Sequence, residues 1–204
     1  MKNKFGILLI CLGAILLLSA CALFFNNQDE EAAAEQSVTQ KVVLVEQAIQ
    51  ERETMPLEDS ADFLLPFMPN KRMSVVEIEG YPYVGYLSIP TLKLDLPIMD
   101  KWSYAKLRIA PCRYAGDLYT DDLVLMAHNY MSHFGKLSQL RSGDLLFFTD
   151  MDGNITAFEV IAQDVLEPGA IEEMTAGDFD LTLFTCTFGG EKRVTVRCDK
   201  LKMD

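Results

Sequence analysis

Residues 181–199 read LTLFTCTFGGEKRVTVRCD, two strand-like runs around Gly189-Gly190, and that composition specifies a tight β-hairpin. With the glycines at the turn, Thr187 faces Lys192 and Cys186 faces Arg193. Directly opposed residues share a face, with Cβ atoms about 5 Å apart. A thiol beside a guanidinium has its thiolate favoured, and the same cation can donate hydrogen bonds to the oxyanion that forms when sulfur attacks a carbonyl. A slip of one residue would carry Arg193 to the opposite face. Arg197 lies two side-chain steps further along the same side, so Arg193 is the preferred functional arginine, while Val194, Val196 and Cys198 alternate inward. An acid or base must come from His128 or His133, the two histidines of the chain. His128 closes the strand-like run 123–127, where a side chain emerges at a sheet rim; the plainer reading is a hydrogen-bonded histidine at a strand end. His133 sits in a polar turn before Phe134-Gly135 and reads as an exposed or entrance-lining residue.

These groups need a rigid frame. After Met73 the short alternating or β-branched runs 74–78, 83–89, 93–98, 122–127, 144–149, 155–165, 181–187 and 192–198 predict an all-β domain, a closed or nearly closed eight-stranded antiparallel barrel. Short helices fit the gaps near 103–108 and 134–141, and Asp150-Met151-Asp152-Gly153-Asn154 is a hairpin turn. Upstream, Ala34, Val38, Val42, Val45 and Ile49 fall on one helical stripe within 31–53, a stalk or a brace. Residues 54–72, with Pro56, Pro66 and Pro69 around Phe63-Leu64-Leu65, read as a linker that packs at most one short turn on the domain.

Residues 5–25 form 21 consecutive uncharged residues, about 31 Å of helix and close to a bilayer's hydrocarbon thickness. Leu18-Ser19-Ala20-Cys21 resembles the processing box of bacterial lipoproteins, but Ala22-Leu23-Phe24-Phe25 carries the apolar run past it, which favours an uncleaved anchor. Lys2 and Lys4 on one flank and Asp29, Glu30 and Glu31 on the other place the amino terminus inside. The expected organisation is a cytoplasmic tip at 1–4, a transmembrane anchor at 5–25, a stalk helix and linker at 26–72, and an external domain at 73–204. That domain holds Cys112, Cys186 and Cys198. An odd count in an exported chain leaves at least one thiol free and invites a catalytic reading; three reduced core cysteines are the alternative. With 18 Lys+Arg against 30 Asp+Glu and a net charge of −12, nucleic acid is excluded as a partner, because phosphate binding needs a basic face.

Taken in order, Ala127-His128-Asn129, Phe134-Gly135-Lys136-Leu137, Gly143-Asp144, Leu181-Thr182-Leu183-Phe184-Thr185-Cys186 and Arg193-Val194-Thr195-Val196 resemble the landmarks of sortases. Gly85-Tyr86-Leu87-Ser88-Ile89-Pro90 and Leu94-Asp95-Leu96-Pro97-Ile98 are similar to that family's opening strands. The resemblance spans about residues 74–199. It implies a sortase-like barrel and a cysteine transpeptidase of Gram-positive cell envelopes, cutting an LPXTG-like sorting signal between Thr and Gly. Cys186 would then be the nucleophile, His128 the acid and base, and Arg193 the oxyanion stabiliser, with Ala127, Asn129 and Thr185 at the substrate. The implied partners are surface proteins bearing the signal, and a peptidoglycan-precursor or pilin amine as acceptor. The implied location is the cell membrane, single-pass, with the catalytic domain outside. Sortases usually carry Gly before the histidine, where this chain has Ala127. Residues 166–180, which line the groove in a sortase, leave no room for the long helical insertion of class B, and no lid motif of pilin-polymerising members is visible.

No cofactor is expected. Glu172, Glu173, Asp178 and Asp180 could bind calcium in the way an acidic loop does in some sortases, but a solvated loop is the preferred reading because no ligand spacing is diagnostic. His128, His133 and the three cysteines lack Cys-x-x-Cys or His-x-x-x-His spacing, so no metal site is assigned. Two other functions compete. One is another exported thiol enzyme, such as a papain-like peptidase or an L,D-transpeptidase; papain-like enzymes place Cys before His, whereas here His128 precedes Cys186. A binding module lipid-anchored through Cys21, with Cys112 and Cys198 bridged, leaves the pairing of Cys186 and Arg193 unexplained.

Overall fold

The structure is a computed structural model that describes residues 2–54 and 71–201, with side chains from Gly6 onward. The linker turn expected within 54–72 lies almost wholly outside the described residues. Nine strands form one sheet: β1 (Val76–Ile78), β2 (Tyr81–Ile89), β3 (Leu94–Met99), β4 (Cys112–Ala115), β5 (Leu123–Met126), β6 (Leu145–Asp150), β7 (Ile155–Leu166), β8 (Leu181–Cys186) and β9 (Arg193–Lys200). Their order is β1-β2-β3-β4-β5-β8-β9-β7-β6, and β2 also pairs with β6, so β2 to β9 close an eight-stranded barrel with β1 appended outside. Closure removes the sheet edges that would otherwise invite pairing with other chains. It depends on Gly85: a Cβ there would come within 2.1 Å of the Thr149 carbonyl oxygen, and its φ of +146° is one that side chains rarely adopt.

The eight-stranded barrel matches the expectation, with two differences in detail. The run at 74–78 is the appended strand, and its place in the ring is taken by β4, which the sequence pattern did not mark. The joins β3–β4 and β5–β8 are parallel and the other ring joins antiparallel. A helical turn at α2 (Tyr104–Leu107) and a 3-10 turn at Leu137–Gln139 occupy the expected gaps. A one-turn helix, α3 (Ile171–Met174), lies between β7 and β8.

Inside the ring, Leu87, Leu96, Leu123, Leu125, Phe148, Phe158, Leu183 and Val196 are fully buried in one cluster, each stabilising the fold by roughly 1.5–3 kcal/mol relative to exposure. Asp150 closes the β6–β7 hairpin by accepting hydrogen bonds from the backbone N–H groups of Asp152 and Asn154, both at 2.9 Å.

The amino-terminal helix, α1, runs Lys2–Thr54, and its residues belong to two compact units, 1–33 and 34–204. In the first, Ile7, Leu8, Ile10, Leu12, Leu16 and Phe25 stand exposed, and the helix is long and apolar enough to cross a membrane. In the second, Ala34, Val38, Val45 and Ile49 are buried. Val45 and Ile49 pack with Tyr83, Met99, Leu107, Ala110, Cys112 and Met151, and ion pairs Lys41–Glu79 and Arg52–Asp152 flank them. Of the two roles the stripe allowed, this part of the helix is a brace.

Candidate active site

Strands β8 and β9 pair in the register derived from the sequence, with Cys186 opposite Arg193, Thr185 opposite Val194 and Leu181 opposite Cys198. The turn is wider than two glycines. The Thr187 N–H donates to the Lys192 carbonyl at 2.9 Å and the Gly190 N–H to the Thr187 carbonyl at 2.8 Å, so residues 188–191 make the reversal. Gly189 and Gly190 have φ of +86° and +79°, values that glycine adopts at no steric cost.

Strand β5 lies parallel to β8, with Leu123 opposite Leu181 and Met126 opposite Phe184. That offset, carried two residues beyond β5, brings His128 level with Cys186. The Ala127 N–H donates to the Phe184 carbonyl at 3.3 Å, and the Thr185 hydroxyl donates to the Ala127 carbonyl at 2.8 Å. Both bonds extend the strand contact to the histidine's neighbour. Leu181 and Leu183 face the barrel interior, so by alternation Phe184 and Cys186 face outward. Phe184 there packs with Val124, Met174, Tyr114, Met126 and Leu166. Thus Cys186, Arg193 and His128 are gathered at one rim of the barrel, beside an apolar outer face.

Burial separates the three cysteines of residues 73–204. Cys112 and Cys198 are fully buried; burial pushes the Cys112 thiol up to about 12 and the Cys198 thiol higher still. Both therefore stay protonated and unreactive. Cys186 is half-buried and all five cysteines are unbridged, so the Cys112–Cys198 bridge required by the binding-module reading is absent.

The two histidines also part. His133, expected to be exposed, is fully buried. The cause of this burial is local: residues 129–135 fold back on themselves, the His133 and Gly135 N–H groups donating to the Tyr130 carbonyl at 2.9 and 2.8 Å. A Cβ at Gly135 would come within 2.5 Å of the Asn129 carbonyl oxygen. Desolvation, with the nearby His128 second, lowers the His133 pKa to about 4, which keeps it neutral at ordinary pH. His128 is half-buried. The ring of Tyr130 neighbours both histidines, 5.0 Å from His128 and 5.3 Å from His133 by centroids. Tyr130 was overlooked in the sequence, where its position two residues past His128 was the available signal.

Arg193 is half-exposed and its Nη1 donates to the Gly190 and Lys192 carbonyls, both at 3.0 Å. That holds the guanidinium at the hairpin and, among the described residues, leaves Nη2 and Nε for a further acceptor. Arg197 is 5% exposed and engaged with Asp164, Thr182, Glu173 and Met174. The substrate-side residues divide as well. Ala127 and Thr185 are buried and hydrogen-bonded to each other, which joins β5 to β8, while Asn129 is half-buried next to His128. In the acidic segment the Asp180 carboxylate accepts from the Lys200 N–H at 2.7 Å. Among the described residues no three His, Cys, Asp or Glu side chains converge to hold a metal.

A family model described as Sortase domain matches residues 87–201. No curated protein matches the chain. Among solved structures, a sortase C1 from Streptococcus suis is 25% identical, covering 60% of this chain and 74% of that one with a TM-score of 0.51. Sortase A from Corynebacterium diphtheriae is 19% identical, with 88% and 95% covered and a TM-score of 0.53. Sortase C from Clostridium perfringens, solved with the C-terminal cell wall sorting motif, is 22% identical, with 80% and 91% covered and a TM-score of 0.53. The closed barrel, the rim that gathers a thiol, an imidazole and a guanidinium, and a family match over more than half of the sequence agree: this chain belongs to the sortase family.

Proposed function

We infer that the protein is a membrane-anchored cysteine transpeptidase that cleaves an LPXTG-like sorting signal between Thr and Gly and transfers the acyl group to a cell-envelope amine. The observation that carries this reading is the pairing of Cys186 with Arg193 across β8 and β9, with His128 brought level with Cys186 by the β5–β8 register. Cys186 Sγ attacks the threonine carbonyl carbon, and the carbonyl electrons move to oxygen, where the free donors of Arg193 stabilise the charge. As the C–N bond breaks, His128 gives a proton to the departing glycine amine, leaving a thioester on Cys186. An incoming amine then attacks the thioester, His128 accepts its proton and the sulfur departs as thiolate.

The sequence Lys2, Lys4, apolar span, then Asp29, Glu30 and Glu31 supports a single-pass anchor with the barrel outside the cell. Substrates would be surface proteins carrying the signal, and the acceptor an amine of a peptidoglycan precursor or a pilin. The test is incubation of the full chain with a library of fluorogenic pentapeptides. Cleavage confined to sequences of LPXTG type, and absent in Cys186→Ala, is the expected outcome; equal cleavage by that variant would remove the reading.

A further inference from the structure

We propose that Arg197 is a positioning residue for the substrate groove, fastening residues 167–180 against the strand that carries Cys186. The inference rests on the transpeptidase reading for what the groove binds and for the groove's place along residues 167–180. Residues 167–180 contain a single helical turn, α3, too short to be stable alone. Among residues 167–180, Met174 is the one buried side chain, and it packs on Phe184 and Val124, Phe184 being one same-face step from Cys186 on β8. Something else must fix the segment there.

Arg197 occupies that position. It lies opposite Thr182 on the outward side of β9 and is nearly inaccessible to solvent. Its Nη2 donates to the Glu173 carbonyl at 2.6 Å, and its Nη1 to the Met174 carbonyl at 3.3 Å and the Thr182 hydroxyl at 3.1 Å. Its Nε reaches Asp164 Oδ2 at 3.4 Å, and its guanidinium carbon lies 5.4 Å from the Phe179 ring centroid. The two carbonyls end a helical turn and lack intrahelical donors, so one planar fork satisfies them while joining β7, β8 and the segment. An ammonium has no such fork and would serve fewer of these acceptors. The other ties are at the ends: Glu167 pairs with Lys192 at 3.0 Å in solvent, and Asp180 accepts from Lys200.

The test compares full-length wild type with Arg197→Lys, Arg197→Gln and the near-isosteric Thr182→Val, which removes one acceptor and leaves the arginine in place. Hydrogen exchange of the Met174 and Thr175 amides should accelerate by about ten-fold or more in the arginine variants, the equivalent of one lost charge-assisted bond, and less in Thr182→Val, with β8 and β9 amides still protected. For a cleaved peptide KM should rise by a similar factor, with kcat and the rate of Cys186 alkylation by iodoacetamide within about two-fold of wild type. Unchanged exchange at Met174 and Thr175, exchange accelerated equally across the barrel in all three variants, or a fall in kcat at constant KM would each overturn the proposal. If wild type cleaves no peptide, the proposed function fails separately, and exchange and alkylation still decide whether Arg197 holds the segment.

Discussion

Cys186 and Arg193 are matched by strand register, so substitutions at either separate chemistry from binding. Arg193→Lys keeps the charge and loses the fork; on the proposed mechanism kcat should fall by about 10² while KM changes little, since removing an oxyanion donor would act on the transition state. Steady-state kinetics with one sorting peptide checks this, and a rise in KM at constant kcat would contradict it. His128→Ala should lose activity by about 10² to 10⁴, because the buried His133 cannot replace it. His133 carries a different signature. Its folded pKa of about 4 lies below the ordinary 6.5, so above pH 6.5 its ionisation contributes nothing. As the pH falls from 6.5 toward 4 the unfolded chain binds a proton that the folded chain refuses, and stability drops by up to about 3 kcal/mol. Urea midpoints measured between pH 7 and 4.5 should fall less steeply in His133→Asn than in wild type; parallel slopes would show that His133 does not titrate this way.

The elements that position these residues were legible in unequal measure. The β8–β9 register was readable because Gly189-Gly190 marks the turn and two alternating runs flank it, and the turn's extra width left the pairing of Cys186 with Arg193 intact. β4 was not readable: Cys112-Arg113-Tyr114-Ala115 is short, has a bulge between Arg113 and Ala115, and meets β3 at a single pair, Met99 with Cys112. Its strand character comes from its neighbours. The burial of His133 was equally hidden, because a polar local sequence says nothing about the 129–135 fold-back that covers it. The helical stripe was readable, and the choice between stalk and brace needed its partners Tyr83, Met99 and Met151. Ile49→Ala should destabilise the domain by about 2–4 kcal/mol, the cost of lost transfer energy plus a cavity, with little change in KM. Urea unfolding checks this, and a loss under about 0.5 kcal/mol would mean that the helix does not brace the barrel in solution.

At the scale of the whole molecule, the charges on either side of the apolar helix and the net −14 over residues 26–204 agree with the proposed single-pass anchor that leaves those residues outside the cell. If the anchor is the helix itself, Cys21→Ser should leave membrane association unchanged in fractionation, and diacylglyceryl on Cys21 in a mass spectrum would contradict that. The central claim is that a sorting signal is cut through a thioester on Cys186. Full-length protein mixed with an LPXTG-type peptide and quenched in acid should gain, on the tryptic peptide containing Cys186, the mass of the peptide up to and including its threonine. The adduct should vanish when an amine acceptor is added and be absent in Cys186→Ala. Cleavage with no adduct on Cys186, or an adduct on Cys112 or Cys198, would contradict the account.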